Sequence, residues 1–230
     1  PKIHFDADAR TIRVPASTTY GEVAQWLAPH GMALHNLASL PHISVAGSVA
    51  TATHGSGTGN GNLATSVAGF EYVNTAGEII SVDRSTPDFD GMVVSLGALG
   101  IVTTVSLDAV FDYQIEQHVY GDLPLDVVGD QLAMILGAAY SVSVFTTFAG
   151  SLDGQIGQVW IKRRTDGSDR SMDPGATFLD APAATMQHHP IPGVDGSTCT
   201  AQLGVPGPWA DRLPHFRMGF TPSAGNEVQS

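Results

Sequence analysis

Between Ser39 and Gly61 the chain runs Ser-Leu-Pro-His-Ile-Ser-Val-Ala-Gly-Ser-Val-Ala-Thr-Ala-Thr-His-Gly-Ser-Gly-Thr-Gly-Asn-Gly, with no acidic or basic side chain apart from His42 and His54. Such a run lets a ligand lie against the backbone, because Gly and Ala leave little side chain in its way. Main-chain N–H groups and Ser/Thr hydroxyls then hold a phosphate without Lys or Arg. That suits a chain with 10 basic and 22 acidic residues.

Several glycine-rich loops compete for this segment. A Walker loop requires Gly-Lys-Ser/Thr, and no Lys occurs between Lys2 and Lys162. A Rossmann fingerprint places G-x-G-x-x-G between strand and helix. Gly55, Gly57, Gly59 and Gly61 instead recur at every second position, and no clear helix follows. A flexible surface turn is the plainer alternative. Against it, Ile43, Val45, Val49, Thr51 and Thr53 alternate with small residues, which predicts a buried strand passing a ligand.

The stretch Leu34 to Leu63, with Ser39-Leu40-Pro41-His42-Ile43-Ser44 and Thr51-Ala52-Thr53-His54-Gly55, resembles the alditol (xylitol) oxidases of the vanillyl-alcohol-oxidase superfamily of FAD enzymes. The resemblance continues at Ser95-Leu96-Gly97-Ala98-Leu99-Gly100-Ile101-Val102-Thr103, at Gly204-Val205-Pro206-Gly207-Pro208-Trp209 and at Arg212-Leu213-Pro214-His215-Phe216. The Thr-x-Thr-His-Gly core is shared with sugar-lactone oxidases and dehydrogenases, whereas the Ser-Leu-Pro-His-Ile-Ser part is specific to the alditol branch.

The resemblance implies an α+β fold. A PCMH-type FAD-binding domain over 1–112, lacking its N-terminal portion, is followed over 113–230 by the start of a substrate-binding cap domain. It implies that Ser39, Ser44, Gly47, Thr51, Thr53 and His54 contact FAD, that the backbone at Ile101 and Val102 meets the adenine, and that Ser39 touches the polyol. From the residues alone, Ser39 reads as a helix or turn cap, His54 as a structural histidine, and 101–102 as a buried helix-to-strand link. His42 is not expected to carry the flavin, because the family's covalent histidine lies in a loop upstream of Pro1. The chain is therefore expected to be an internal fragment with no catalytic residue assigned within it, inactive in isolation.

The implied reaction oxidises the terminal CH–OH of a sugar alcohol such as xylitol or sorbitol to the aldose and reduces O2 to H2O2. Ala38, beside Ser39, is expected near the flavin face, where it influences oxygen access. A sugar-lactone oxidase or dehydrogenase is the alternative within the fold, and a fragment unable to hold FAD the alternative outside enzymes.

A net charge of −12 argues against nucleic acid and anionic membrane as partners. A neutral polyol fits better. A single cysteine, Cys199, suits a reducing cytoplasm. No stretch approaches the ~20 apolar residues of a membrane span. A monomer is expected. His188, His189 and Cys199 lack the spacing of a structural zinc site and read as a solvated loop. No metal is expected.

Along the chain, 3–14 predicts two short strands. Thr19 with Glu22 forms a capping box for a helix whose apolar stripe is Tyr20, Val23, Ala24 and Leu27, stopped at Gly31. Residues 67–82 predict a hairpin turning at Asn74-Thr75-Ala76-Gly77. Thr86 is expected to cap a short helix, with Pro87 at its first position, and 101–105 to return as a strand. Strands are expected near 113–120, 141–148 and 158–162. A helix within 125–140 is expected to bury Val128, Leu132, Ile135 and Leu136. Lys162-Arg163-Arg164 reads as a solvated strand edge, Asp122, Asp126 and Asp130 as an exposed helical face, and 166–208 as largely irregular.

Overall fold

A computed structural model describes residues 2–146, 155–168 and 172–218 of the 230-residue chain. The chain divides into two compact units, and the division is not sequential. One unit holds residues up to Gly55 and Asn62–Asp112, and the other holds Ser56–Gly61 and Tyr113–Arg217.

The first unit contains β1 (His4–Asp6), β2 (Thr11–Pro15), α1 (Tyr20–Leu27), β3 (Met32–Ala33), α2 (Val45–Ala50), β4 (Val67–Val73), β5 (Ile79–Asp83), α3 (Phe89–Val93), β6 (Ile101–Asp108) and β7 (Val110–Phe111). Its main sheet is antiparallel in the order β1-β2-β6-β4-β5, while β3 pairs with β7. Alternation sorts the two faces. Ile12, Val14, Val105 and Leu107 are buried, while Arg13 between the two β2 residues reaches Glu71 on β4 as an ion pair. Glu71 is held below the usual carboxylate range by its hydrogen bond with Arg13.

Helix α1 starts where its capping box dictates. Glu22 N–H donates to Thr19 Oγ1 at 3.2 Å, and Thr19 N–H donates to Glu22 Oε2 at 2.8 Å. The hydrogen bond from Thr19 N–H holds the Glu22 carboxyl below its ordinary value. Gly31, with φ of 66°, ends the following turn in the left-handed region. The β4–β5 hairpin turns at Asn74–Gly77, with Gly77 at φ 80° and the Asn74 side chain accepting from Ala76 and Glu78 N–H.

Two local expectations fail here. Residues 43–53 do not form a buried strand, because Val45–Ala50 coil into α2. Val45 and Val49 lie one turn apart, so the same residues that alternate also make a helical stripe. Thr86 does not cap α3. Asp88 occupies the cap position at φ 61° without a side-chain cap bond, and Thr86 Oγ1 instead accepts from Asp83 N–H at 3.1 Å.

The second unit contains β8 (Gln114–Pro124), α4 (Leu125–Leu136), β9 (Ser141–Phe145), β10 (Gln155–Arg164), β11 (Thr177–Phe178), β12 (Ala181–Pro182) and β13 (Gly207–Pro208). Four strands form an antiparallel sheet, β13-β8-β10-β9, and β11 pairs with β12. Val159 and Ile161 face a core with Tyr120, Leu123 and Ile135. Trp160 packs with Val119 and Cys199.

Lys162-Arg163-Arg164 is not a solvated edge, because β10 lies between β8 and β9. The Lys162 side chain is wholly buried, and Arg163 bonds to Glu116 and Asp173. The expected solvated loop at 188–189 also fails. His189 is buried, and His188 exchanges hydrogen bonds with the Gln202 side chain, its N–H donating at 2.9 Å and its carbonyl accepting at 2.8 Å. Leu132 is exposed rather than buried, since the helix loses regular geometry at Gln131 (φ −123°) and the stripe rotates. Asp122 lies on β8, not on a helical face shared with Asp126 and Asp130. Residues 147–148, expected in the strand after Ser141, lie outside the described residues.

Candidate functional site

The cofactor segment is positioned by the first turn of α1. A helix N-terminus leaves its first amides without intrahelical partners, and here the loop carbonyls take them. Tyr20 N–H donates to Ile43 O at 3.1 Å, and Gly21 N–H to Pro41 O at 2.8 Å. Val45 N–H returns a bond to Thr18 O at 2.8 Å, and Thr19 bridges Ser44. The capping box thus fixes where α2 begins.

One face of α2 turns Ala46, Val49 and Ala50 toward Val67, Phe70, Val102 and Val105 around a small apolar cavity of about 10 Å³. The other face opens on a groove of about 360 Å³ lined by Ile43, Ser44, Gly47, Ser48, Thr51 and Thr53. No lining side chain is charged. Ser44 stands at the cap position of α2 with its hydroxyl not engaged in capping. Thr51 Oγ1 donates to Gly47 O at 3.0 Å and lies 3.3 Å from Thr53 Oγ1. A Cβ on Gly47 would sit 2.8 Å from Ser44 Oγ, too close for any larger residue without a shift.

Four of the sequence candidates, Ser44, Gly47, Thr51 and Thr53, therefore share one wall. The expected cradle of main-chain amides is corrected. Val45 and Ala46 N–H donate to Thr18 and Ala16 carbonyls, while Ser48, Thr51 and Thr53 N–H donate within the segment. Coiling into a helix consumes the amides that an extended strand would have left open. What the groove offers is hydroxyls and the bare Cα of Gly47. That donor set suits the oxygens of a neutral-walled diphosphate site.

The remaining candidates do not line the groove. Ser39 is exposed next to buried Ala38. His54 is exposed, with Nδ1 2.9 Å from Gly55 O, and bridges Asn62. Ile101 is exposed at the start of β6 opposite Val73. Val102 follows it and lines the apolar cavity.

Gly55 is a residue that sequence reasoning passed over. A Cβ there would collide with the Leu37 carbonyl and the Asn36 side chain, so only glycine lets 54–55 press against 36–37. That contact brings the strand of chain carrying Ala38 and Ser39 beside the one carrying Thr53 and His54. Its sequence signal is faint, since Gly55 is one of four alternating glycines. Tyr20 Oη and His42 Nδ1 are among the buried polar atoms with no hydrogen-bond partner in the described residues. Burial pushes the Tyr20 phenol well above its ordinary range.

Residues 2–83 match the FAD binding domain family. Over 225 residues the whole chain is 47% identical to an alditol oxidase from a Streptomyces species, a match covering 98% of this chain and 52% of the relative. A D-arabinono-1,4-lactone oxidase from Candida albicans is 36% identical over 109 residues, 46% of this chain and 19% of the relative. A cholesterol oxidase from Brevibacterium sterolicum shares the fold at a TM-score of 0.60 and 15% identity, over 72% of this chain and 34% of that one. The chain spans about half the length of the alditol oxidase it matches. The match runs to Asp83, so the matched part holds α1, α2 and the groove.

Among the described residues no group of three or more His, Cys, Asp or Glu side chains is arranged to hold a metal. None of the helices among them is long and apolar enough to cross a membrane.

Proposed function

We propose that this chain is the FAD-holding part of an oxidoreductase that converts the terminal CH–OH of a sugar alcohol such as xylitol or sorbitol to the aldose. In this reading residues 1–112 bind FAD and 113–230 begin a domain that covers the substrate. The observation that carries it is the uncharged groove in which Ser44, Gly47, Thr51 and Thr53 converge, inside a segment that matches an FAD binding domain.

Bound FAD supplies the hydride acceptor, and O2 takes up the two electrons as H2O2. The chain's own residues bind and orient. Ser44 and Thr53 hydroxyls would donate to diphosphate oxygens, while Thr51, its proton held by Gly47 O, would shape the wall beside them. His54 and the backbone at Ile101 and Val102 hold the ends of the dinucleotide. Ser39 hydrogen-bonds the polyol hydroxyl, and Ala38 leaves room for oxygen at the flavin face. A single buried cysteine and the acidic balance support a cytoplasmic protein that binds neither nucleic acid nor anionic lipid, and we read it as a monomer.

The lactone-oxidase reading is favoured by the Candida albicans relative, but that likeness reaches 46% of the chain, against 98% for the alditol oxidase. The test is a titration of the purified chain with FAD, followed by flavin fluorescence, and a peroxide assay of a full-length protein carrying this chain with xylitol, sorbitol and an aldonolactone in turn. Saturable flavin quenching and peroxide with the polyols are expected. A chain that leaves FAD fluorescence unchanged overturns the flavin reading, and peroxide with the lactone alone overturns the polyol reading.

A further inference from the structure

Seven residues separate His54 and Asn62, which bridge each other, and all but Gly55 share one fate. Those six, Ser56–Gly61, group with the second unit. Three contacts within that unit hold them. Ser56 Oγ lies 2.6 Å from Ser143 Oγ on β9. Asn60 Nδ2 donates to Tyr140 O at 2.9 Å and to Ser56 O at 3.1 Å. Gly57, at φ 110°, passes so close to the Tyr140 carbonyl that a Cβ would collide with it.

Ser143 is in turn held from behind. Its hydroxyl lies 3.1 Å from His215 Nε2. The His215 ring sits edge-on to Phe145 and against Trp160, each with centroids 5.2 Å away, so its orientation is fixed by packing. Burial, and secondarily Lys162, hold His215 well below the ordinary imidazole range, so the ring is neutral and has one donor and one acceptor nitrogen. A serine hydroxyl has one proton and two lone pairs. The arrangement satisfies Ser143 from both sides whichever tautomer His215 adopts.

We propose that Ser143, oriented by His215, is a positioning residue for the glycine-rich turn 56–61 and thereby for the groove wall that ends at Thr53. The second half rests on the reading of that groove as the FAD diphosphate site. The physical argument is one of entropy. A turn with glycines at 55, 57, 59 and 61 is costly to order, and its own sequence supplies little to order it. Hydrogen bonds from a rigid sheet remove that freedom before the ligand arrives, so binding does not have to.

The experiment uses the full chain in four forms: wild type, Ser143→Ala, Ser143→Thr and Ser56→Ala. Amide hydrogen exchange of the apo-protein is read by mass spectrometry, and FAD affinity by fluorescence quenching. Losing one neutral hydrogen bond is expected to speed exchange in 56–61 by about fivefold and weaken FAD binding by a similar factor in both alanine variants. The hydroxyl of Ser143→Thr is expected to restore both, and exchange in β8 and β10 is expected to stay unchanged in Ser56→Ala. If Ser143→Ala does not fold, Ser56→Ala decides alone. Unchanged exchange in 56–61 overturns the positioning role. Faster exchange with unchanged FAD affinity overturns its link to the groove. Wild-type protein that does not bind FAD removes the flavin reading, while the exchange data still decide whether Ser143 positions the turn.

Discussion

The two units solve opposite polar problems. Around α2, the first unit presents hydroxyls and bare backbone on an open wall and uses no charge there. In the second unit, ionisable groups are taken into the core. Lys162 is wholly buried with Nζ donating to Leu213 O at 2.5 Å, His215 is 5% exposed, and Cys199 is fully buried. Desolvation disfavours the charged form of every buried group. It pushes Lys162 down to about 7 and Cys199 up to about 11. The open wall is suited to receiving an anion from solvent, whereas the buried cluster is suited to holding its own shape. A site and a scaffold can therefore be told apart by where polarity is left unspent.

The largest expected effect falls on the first region. Gly55→Ala drives a Cβ into the Leu37 carbonyl. It is expected to cost about 3 kcal/mol and to abolish FAD binding, measured by thermal unfolding and flavin quenching. Normal FAD affinity in that variant would break the claim that the 36–37 contact shapes the site.

The next effect falls on the second region and depends on pH. Lys162 releases its proton near 7 when folded but near 10.5 in the ordinary state. Between those values the unfolded chain binds more protons, so stability rises with pH by at most about 1.4 kcal/mol per unit. Cys199 acts oppositely from 9.0 to about 11, because the folded thiol keeps its proton there. The net gain is thus expected between about pH 7 and 9 and is flattened above. Lys162→Met is expected to remove this slope and to be more stable at pH 7, as urea unfolding across pH will show.

Smaller effects sharpen the first region again. Ser39 is exposed. In a full-length protein carrying this chain, its replacement by Ala is expected to raise KM for xylitol about fivefold to tenfold, the worth of one substrate hydrogen bond, with the melting temperature unchanged. Thr19→Ala removes the cap of α1 and is expected to cost about 1 kcal/mol, read from the urea midpoint.

Local chemistry was legible in the sequence. The Thr19–Glu22 box and the Asn74–Gly77 turn each settle their own structure within four residues, and the fold shows both. The strand expected over 43–53 failed because a spacing of four satisfies both a strand and a helix face. Only the packing of Ala46, Val49 and Ala50 beside β6 decides between them. Lys162 was misread for a different reason. Charge predicts solvent, and nothing near it in sequence announces a partner 51 residues away. Of the site, the groove-lining Ser44, Gly47, Thr51 and Thr53 came from a motif. Gly55 and the Ser56–Ser143 contact came only from the fold, because each depends on which backbone is nearby.

The excursion of Ser56–Gly61 bears on how this polypeptide is made. Its anchor on Ser143 lies 87 residues further along, so a nascent chain leaving the ribosome exposes the glycine turn long before its dock exists. The turn must wait unordered while later strands are synthesised, and contacts of such long range slow maturation. A cut between 112 and 113 would leave the N-terminal piece permanently in that waiting state.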